Sequence, residues 1–455
     1  MKKRKLALIV AAFNASLAFA GGLLTNTNQS VHFLRNPARD ASTSVDAAYT
    51  NPAGLIKLEE GFHFSINNQS AFQTRTITST YAPFVGSRGN ATKEFEGKAS
   101  VPIIPSVMGV YRVGDWALSG SIAITGGGGK ATFNQGLPSF ESMIAVVPSV
   151  VNALNPAVEG YSLDSYMKGS SMILGAQLGG TYKINEMFSA YGGFRLNIVN
   201  NGYEGYMKNV KIGVGGTLVP IENVISETHP LYPLVSEKHL DCSQSGWGVS
   251  PIVGFNYSYQ DRLNVGVKYE FKTALNVENN TKLDDTGMFP DGVNTPHDIP
   301  ALFTIGVSYK ILPQLTASVG YHRFFDSDAK MDADKQKDAG STNEYLAGVE
   351  YQINRLFMVS AGGQITKYGV GDTYQKDLSF SCDSYSIGLG GAVNVSSKVK
   401  INVGYFWTVY SDYTKTVDDY GNINSMTGGG IPAIAGADVF SRTNKVFGAG
   451  VDFSF

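Results

Sequence analysis

From Gly61 onward the chain repeats one pattern, in which every second side chain over about ten residues is apolar or aromatic. Successive side chains of an extended strand face opposite sides, so each such stretch has one apolar face and one small or polar face. Trp116, Leu118, Ile122 and Ile124 alternate with Ala117, Ser119, Ser121 and Ala123. Leu263, Val265, Val267, Tyr269 and Phe271 alternate with Asn264, Gly266, Lys268 and Glu270. Val399, Ile401, Val403, Tyr405, Trp407 and Val409 alternate with Lys400, Asn402, Gly404 and Thr408. The pattern predicts fourteen strands, near 61–78, 97–112, 115–125, 170–184, 187–200, 245–260, 262–276, 300–311, 314–326, 343–353, 356–369, 380–395, 398–412 and 443–455. Six short links alternate with seven long ones, at about 79–96, 126–169, 201–244, 277–299, 327–342, 370–379 and 413–442. Short turns on one side and long loops on the other are the arithmetic of an even-stranded outer-membrane barrel with periplasmic termini. The expected fold is all-β: a 14-stranded antiparallel transmembrane β-barrel spanning 61–455, with 126–169 and 201–244 as its largest extracellular loops.

Composition narrows the alternatives. Charged residues make up 16% of the 455, below the usual quarter of a soluble chain, while aromatics reach 11% and glycines number 52. Beyond the amino terminus there is no apolar run long enough for a spanning helix. The near-neutral charge balance offers no basic stripe, so nucleic acid is not an expected partner. Met1 to Lys5 is a positive stretch, Leu6 to Phe13 is apolar, and Ala18-Phe19-Ala20 is a small-x-small cleavage site. Residues 1–20 therefore read as a signal peptide. The last strand places Phe447, Ala449, Val451, Phe453 and Phe455 on one face. Such an aromatic ending resembles the signal read by the outer-membrane assembly machinery. A self-contained barrel in the outer membrane of a Gram-negative bacterium, with outer-membrane lipid around it, is expected to be a monomer.

The inward faces are sparse in charge and rich in glycine, including Gly175, Gly179, Gly193, Gly248, Gly254, Gly266, Gly306, Gly348, Gly362, Gly388, Gly390, Gly404, Gly448 and Gly450. Inward glycines either leave room for another piece of protein or let strands bend. Residues 21–60 lack strand alternation and precede the first strand, so they are placed to fill the lumen. Arg195, Lys268, Glu270, His322 and Glu350 would then find partners there; a solvated ladder of mixed charge is the other reading of these five.

Within that segment stand Ala38-Arg39-Asp40-Ala41-Ser42 and, further on, Asp46-Ala47-Ala48-Tyr49-Thr50-Asn51-Pro52-Ala53-Gly54-Leu55. These stretches resemble the hatch signature of the FadL/TodX family, outer-membrane transporters of long-chain fatty acids and aromatic hydrocarbons. Asn51, Pro52, Ala53 and Gly54 carry the specific part of the likeness. The resemblance implies an N-terminal hatch (21–60) inside the lumen, a hydrophobic ligand bound above it, and sideways release into the membrane at a kinked strand. The loops 201–244 and 413–442 depart from the family and match no ligand-contact motif.

The residues supply means for such a route. Phe140, Met143, Ile144, Val147, Val150, Val151 and Leu154 recur at spacings of three and four, predicting an amphipathic helix on an outer loop. Its apolar face either packs on other loops or receives a ligand. Pro102 and Pro105 lack amide donors in the second strand, and Gly126, Gly127, Gly128 and Gly129 stand at the outer end of the third. A gap between these strands is the expected lateral exit, with Pro251 in the sixth strand as the rival. Hydrophobic small molecules, fatty acids first and aromatic hydrocarbons next, are the expected cargo. A general or solute-selective porin is the alternative, and an outer-membrane enzyme a more distant one. His239 and His297 stand beside Asp241 and Asp298, but no HExxH, GxSxG or Walker pattern is present. No catalytic residue, cofactor or metal site is expected. Two cysteines, Cys242 and Cys382, leave open a disulfide across the barrel mouth.

Overall fold

The computed structural model describes residues 22–152, 155–229 and 232–455; the signal segment 1–20 and Leu154 lie outside them. Alternation turns into fourteen barrel strands: β1 (Gly61–Tyr81), β2 (Thr92–Val113), β3 (Trp116–Phe133), β4 (Val158–Lys183), β5 (Phe188–Val214), β6 (Lys238–Tyr259), β7 (Leu263–Glu270, resuming as Asn276–Asp284), β8 (Asn294–Pro296 and Leu302–Leu312), β9 (Leu315–Phe324), β10 (Thr342–Gln352), β11 (Phe357–Lys367), β12 (Ser384–Asn394), β13 (Val399–Tyr410, continued by Tyr413–Val417) and β14 (Gly436–Ser454). Each pairs antiparallel with its neighbours in sequence. β1 and β14 close the ring from His63↔Ser454 to Tyr81↔Gly436. Phe62 and Phe455 exchange N–H···O bonds of 3.1 and 2.8 Å at the seam. Closure matters because an open edge in lipid would leave backbone groups unsatisfied.

The outward face carries Ile66, Phe72, Leu118, Ile122, Phe194, Phe255, Val319, Leu389, Val403 and Phe447, all exposed. Such a belt is the surface of a barrel immersed in lipid, and no helix among the described residues is long and apolar enough to cross a membrane. Trp116 and Tyr182 meet with tilted rings at 4.7 Å at the short-turn end, and Phe188 meets Tyr257 there at 5.1 Å.

The strands run further than the alternation predicts. The four-glycine run lies inside β3, which continues to Phe133, and β4 starts at Val158, so the loop is 134–157 rather than 126–169. Likewise β5 reaches Val214 and β6 begins at Lys238, which leaves 215–237 in place of 201–244. Above the lipid the outward face becomes charged, with pairs such as Lys168–Glu204 and Lys282–Asp241. Backbone pairing persists there after the apolar alternation has ended. β7 is also interrupted between Glu270 and Asn276, where the sequence pattern runs on.

Residues 22–60 lie within the ring of strands. Ser30 caps α1 (Val31–Arg35) by accepting from Phe33 N–H at 3.3 Å. α2 (Ala47–Thr50) is followed by a 3-10 turn at Pro52–Lys57, with Pro52 at its first position. Nearly every side chain from Gly22 to Ile56 is buried, although neither helix exceeds five residues. Barrel contacts, not helix propensity, therefore hold the segment.

Candidate functional site

The N-terminal segment is fitted to the barrel by absence of side chains. A Cβ on Gly266 would stand 2.1 Å from the Asp40 carbonyl oxygen, one on Gly306 2.6 Å from Asp40 Cβ, and one on Gly320 2.2 Å from Asp40 Oδ2. Gly348 and Gly388 meet Asn36 Oδ1 and Leu34 O in the same way, at 2.0 and 2.5 Å. Other inward glycines serve the barrel itself: Gly179 and Gly193 make room for the Tyr191 hydroxyl, at 2.2 and 2.3 Å.

Charge locks what shape admits. His322 places Nε2 at 2.8 Å from Asp40 Oδ1 and Nδ1 at 2.8 Å from Glu344 Oε2. Glu350 receives Arg35 at 2.5 Å and Arg39 at 3.3 Å. Lys268 donates to the Tyr49 carbonyl oxygen at 2.9 Å and lies 4.9 Å from the Tyr49 ring centroid. Arg195 also lies over the Tyr49 ring, 4.6 Å from its centroid, and pairs with Glu270. Within the segment, Arg39 grips Asp46 through Nε and Nη2 at 2.8 and 2.9 Å. Burial alone would raise the Asp46 carboxyl, but the Arg39 guanidinium outweighs it and holds the group well below the usual carboxylate range.

The Asn51-Pro52-Ala53-Gly54 stretch works as a clasp. Asn51 Nδ2 donates to Ser42 O at 2.9 Å and to Asn256 Oδ1 on β6 at 2.8 Å. Pro52 O accepts from Thr181 at 2.7 Å and Ala53 O from Ser189 at 2.6 Å. Gly54 has no room for more, since a Cβ there would meet Asn51 Nδ2 at 2.4 Å and Ser42 O at 2.6 Å. Asn51→Ala strands buried acceptors on two elements and will destabilise the docked segment by about 1–3 kcal/mol. Faster proteolysis of residues 22–60 in the folded barrel reads this; wild-type resistance in the variant would count against the clasp.

Above the segment an apolar layer fills the barrel mouth, drawing on Ile77, Phe95, Phe133, Tyr203, Leu240, Phe380 and Phe440 among others. The loop helix Pro138–Val151 (α3) lies on it, shorter than the Phe140–Leu154 pattern suggests. Ile144 and Val147 are buried in this layer, with Phe140, Met143 and Val151 half-buried against it. Val146 and Val150 face the other way, onto Ile423 and Ile431. α3 is thus sandwiched between two loop layers rather than presenting an open apolar face. Its first turn is held by Ser139 N–H donating to Asp377 Oδ2 at 3.0 Å, and its Glu141 accepts from Tyr161 at 2.9 Å. Both thiols are free and buried, and burial pushes Cys382 up to about 11.

The wall is broken where the prolines and glycines stand. β2 and β3 pair from Val113↔Trp116 to Ser106↔Ala123 and again from Ala99↔Ala131 to Gly97↔Phe133, with no ladder between. Residues 100–105, including Pro102 and Pro105, face 124–130, including Gly126 to Gly129, across this break. On the β3 side of the break, inside the lumen, lies the start of the N-terminal segment. Thr25 bridges to Gly126, Asn26 N–H donates to Thr125 O at 2.8 Å, and Asn26 Nδ2 donates to Gly127 O at 2.7 Å. Pro251 marks a second interruption, between β6 and β7, whose ladders stop at Ile252↔Glu270 and resume at Ser245↔Glu278. There the backbone of β7 folds inward over the glycines, so that a Cβ on Gly246 would meet Asn276 O at 2.1 Å. Leu275 and Val277 pack with Ile173, Val199 and Ile299 behind it. The second break is sealed by its own strand; the first abuts the N-terminal segment.

Sequence reasoning missed the buried arginine pair Arg75 and Arg442. Arg75 sits on the inward Gln69-Ala71-Gln73 register, but Arg442 precedes the alternation that marks the last strand. No metal-ligating group of three is present among the described residues.

No family model matches the chain, and no curated protein matches its sequence. Solved structures do. A FadL homologue from Pseudomonas aeruginosa superposes with a TM-score of 0.66 at 12% identity, over 96% of this chain and 100% of that one. The toluene transporter TodX of Pseudomonas putida gives 0.58 at 14%, over 96% and 100%. The toluene transporter TbuX of Ralstonia pickettii gives 0.53 at 14%, over 92% and 98%. The fold of this chain is the fold of the FadL/TodX proteins.

Proposed function

We propose that the protein is an outer-membrane transporter of hydrophobic compounds, with long-chain fatty acids as the first candidate cargo. The observation that carries this reading is the pairing of a filled lumen with a broken wall. Residues 22–60 act as a hatch that denies the lumen to water-borne solutes, and the β2–β3 interruption, bordered by the start of that segment rather than closed by its own strand, is the proposed side route. A porin needs the opposite arrangement, an open and hydrated bore. The structural neighbours include toluene transporters and a FadL homologue, which agrees with apolar cargo.

The route follows from solvation. A methylene leaving water gains about 0.8 kcal/mol, so an acyl chain has ample drive to enter the apolar layer at the mouth. The barrier is the polar outer leaflet, which the loops and α3 bridge. Phe140, Met143, Ile144, Val147 and Val151, on the inner side of α3, are the proposed landing face, reached when the loop layers part. From there the ligand descends to the hatch and leaves sideways between Pro102–Pro105 and Gly126–Gly129. The protein works as a monomer inserted by the outer-membrane assembly machinery, and no enzyme chemistry is assigned to it.

Filling the break tests the exit. Val101→Trp with Ile104→Trp should reduce fatty-acid uptake by cells to the level of a strain without the protein. The heat-modifiable band of the assembled barrel should persist. Uptake at the wild-type rate in that variant would sink lateral release at this site.

A further inference from the structure

Asp326 opens the turn Asp326–Asp328 that follows β9, and its side chain is fully buried. Oδ2 accepts the Thr342 N–H at 2.9 Å, from the first residue of β10. Oδ1 has no hydrogen-bond partner, nor has the equally buried Thr342 Oγ1. The groups that act on this carboxyl most are backbone N–H and hydroxyl groups, with no lysine, arginine or histidine among them, and burial pushes it up to about 6. A carboxylate taken out of water without a cation is costly, and aspartate is seldom fully buried unless paired.

The start of the hatch lies against this carboxyl. Leu23 directs its backbone N–H at it. Gly22 is pressed on the Phe324 ring, whose Cδ1 lies 2.5 Å from where a Cβ would stand. Leu23 and Leu24 are buried with Ala329, Met331, Tyr368 and Tyr374. The backbone nitrogen of residue 21 is one residue further upstream, within about 3.8 Å of chain from Gly22. In a precursor that nitrogen is an amide with one hydrogen and no charge. Hydrolysis of the Ala20–Gly21 bond by water leaves a carboxylate on Ala20 and an ammonium group on Gly21. That group carries three donors and is mostly protonated at pH 7.

We propose that Asp326 is the receptor for the amino terminus that signal removal creates, so that the hatch is locked into the barrel only after processing. The ammonium group supplies the missing donor to Asp326 Oδ1 and has a further one for Thr342 Oγ1. It also brings positive charge to a carboxylate in a low-dielectric site, where the attraction is strong. An uncleaved chain offers the site no charge and one donor in place of three. The order of events is then export, cleavage and only afterwards the docking of residues 22–24. This inference is independent of what the barrel carries and rests on the reading of residues 1–20 as a signal peptide.

The test uses the exported chain assembled in nanodiscs, with its intact mass fixing the first residue. An N-hydroxysuccinimide ester acylates a free amine, so the assembled wild type should react at its amino terminus at least about tenfold more slowly than the heat-unfolded protein. Amide exchange of residues 22–30 should accelerate about tenfold or more in Asp326→Asn. Inserting Ser-Gln after Ala20 moves the ammonium group two residues away and should have the same effect. The two changes together should do no more than either alone, because both remove one contact. Asp328→Asn, at an exposed position of the same turn, should exchange as wild type. Equal acylation of assembled and unfolded wild type overturns the site; so does wild-type exchange in Asp326→Asn, or additive loosening in the combined variant. A first residue other than Gly21 overturns the signal reading and the site together. Should the variants fail to assemble, the acylation rates of the wild type decide by themselves.

Discussion

Placing valine at Gly266 and Gly306 will turn a barrel that blocks ions into one that conducts them. The two glycines are cross-strand partners on β7 and β8, both facing the lumen. Their absent side chains make the space for Asp40, whose carbonyl oxygen and Cβ lie 2.1 and 2.6 Å from where the new Cβ atoms would go. Those approaches are far inside van der Waals contact, so the 39–42 turn has to leave its place. His322 then loses Asp40, and Glu350 loses the alignment of Arg39. The barrel itself has no reason to fail, because neither glycine has a positive φ and valine suits a strand. Planar-bilayer recordings should change from closed to stepwise open currents, with the heat-modifiable band intact. An intact band with wild-type silence would show that the N-terminal segment is not what occludes the pore.

Asp46→Asn should loosen the same segment from within. Asp46 is fully buried and accepts two bonds from Arg39 and one from Ser42, each between 2.8 and 2.9 Å. The variant leaves buried Arg39 with only the more distant Glu350, which Arg35 shares, so the loss should approach that of a broken buried ion pair, about 3–5 kcal/mol. Amide exchange across residues 31–58 should therefore accelerate by more than about a hundredfold while the strands keep their protection. The pH dependence has a definite sign. The carboxyl is depressed in the folded chain, so its contribution is fully present above the unfolded value of 3.8 and disappears as pH falls through the lower folded value. Between pH 7 and about 5 the Asp46 contribution should be flat, and loosening from this group should begin below about pH 4. Exchange as slow in the variant as in wild type would remove the pair from the account.

Legibility differed from one part to another for physical reasons. The strands could be read because lipid demands apolar side chains at every second outward position, and that demand writes itself into the chain one residue at a time. Where the strands rise out of lipid the demand lapses, which is why β3 to β6 extend past their predicted outer ends. The inward glycines were visible as a surplus, yet which of them face Asp40 and which face Tyr191 depends on the register between strands. Arg195, Lys268, Glu270, His322 and Glu350 could be picked out as inward charges. Their partners, Asp40, Arg35, Arg39 and Tyr49, are set by how a segment with little regular structure folds back into the ring. α3 could be seen from its spacing, but its burial on two sides could not, since Ile423 and Ile431 lie about 280 residues away.

By itself the sequence determined the number of strands, which face of each meets lipid, which side bears the long loops, and where proline and glycine forbid a regular ladder. These follow from local rules, namely side-chain alternation, amide donors and turn length. The tertiary structure alone decided that the β2–β3 break abuts the N-terminal segment whereas the β6–β7 break is sealed by β7. It alone placed Arg75 opposite Arg442. Such facts arise when a ring closes and brings its first and last strands together, a relation that no window along the chain contains.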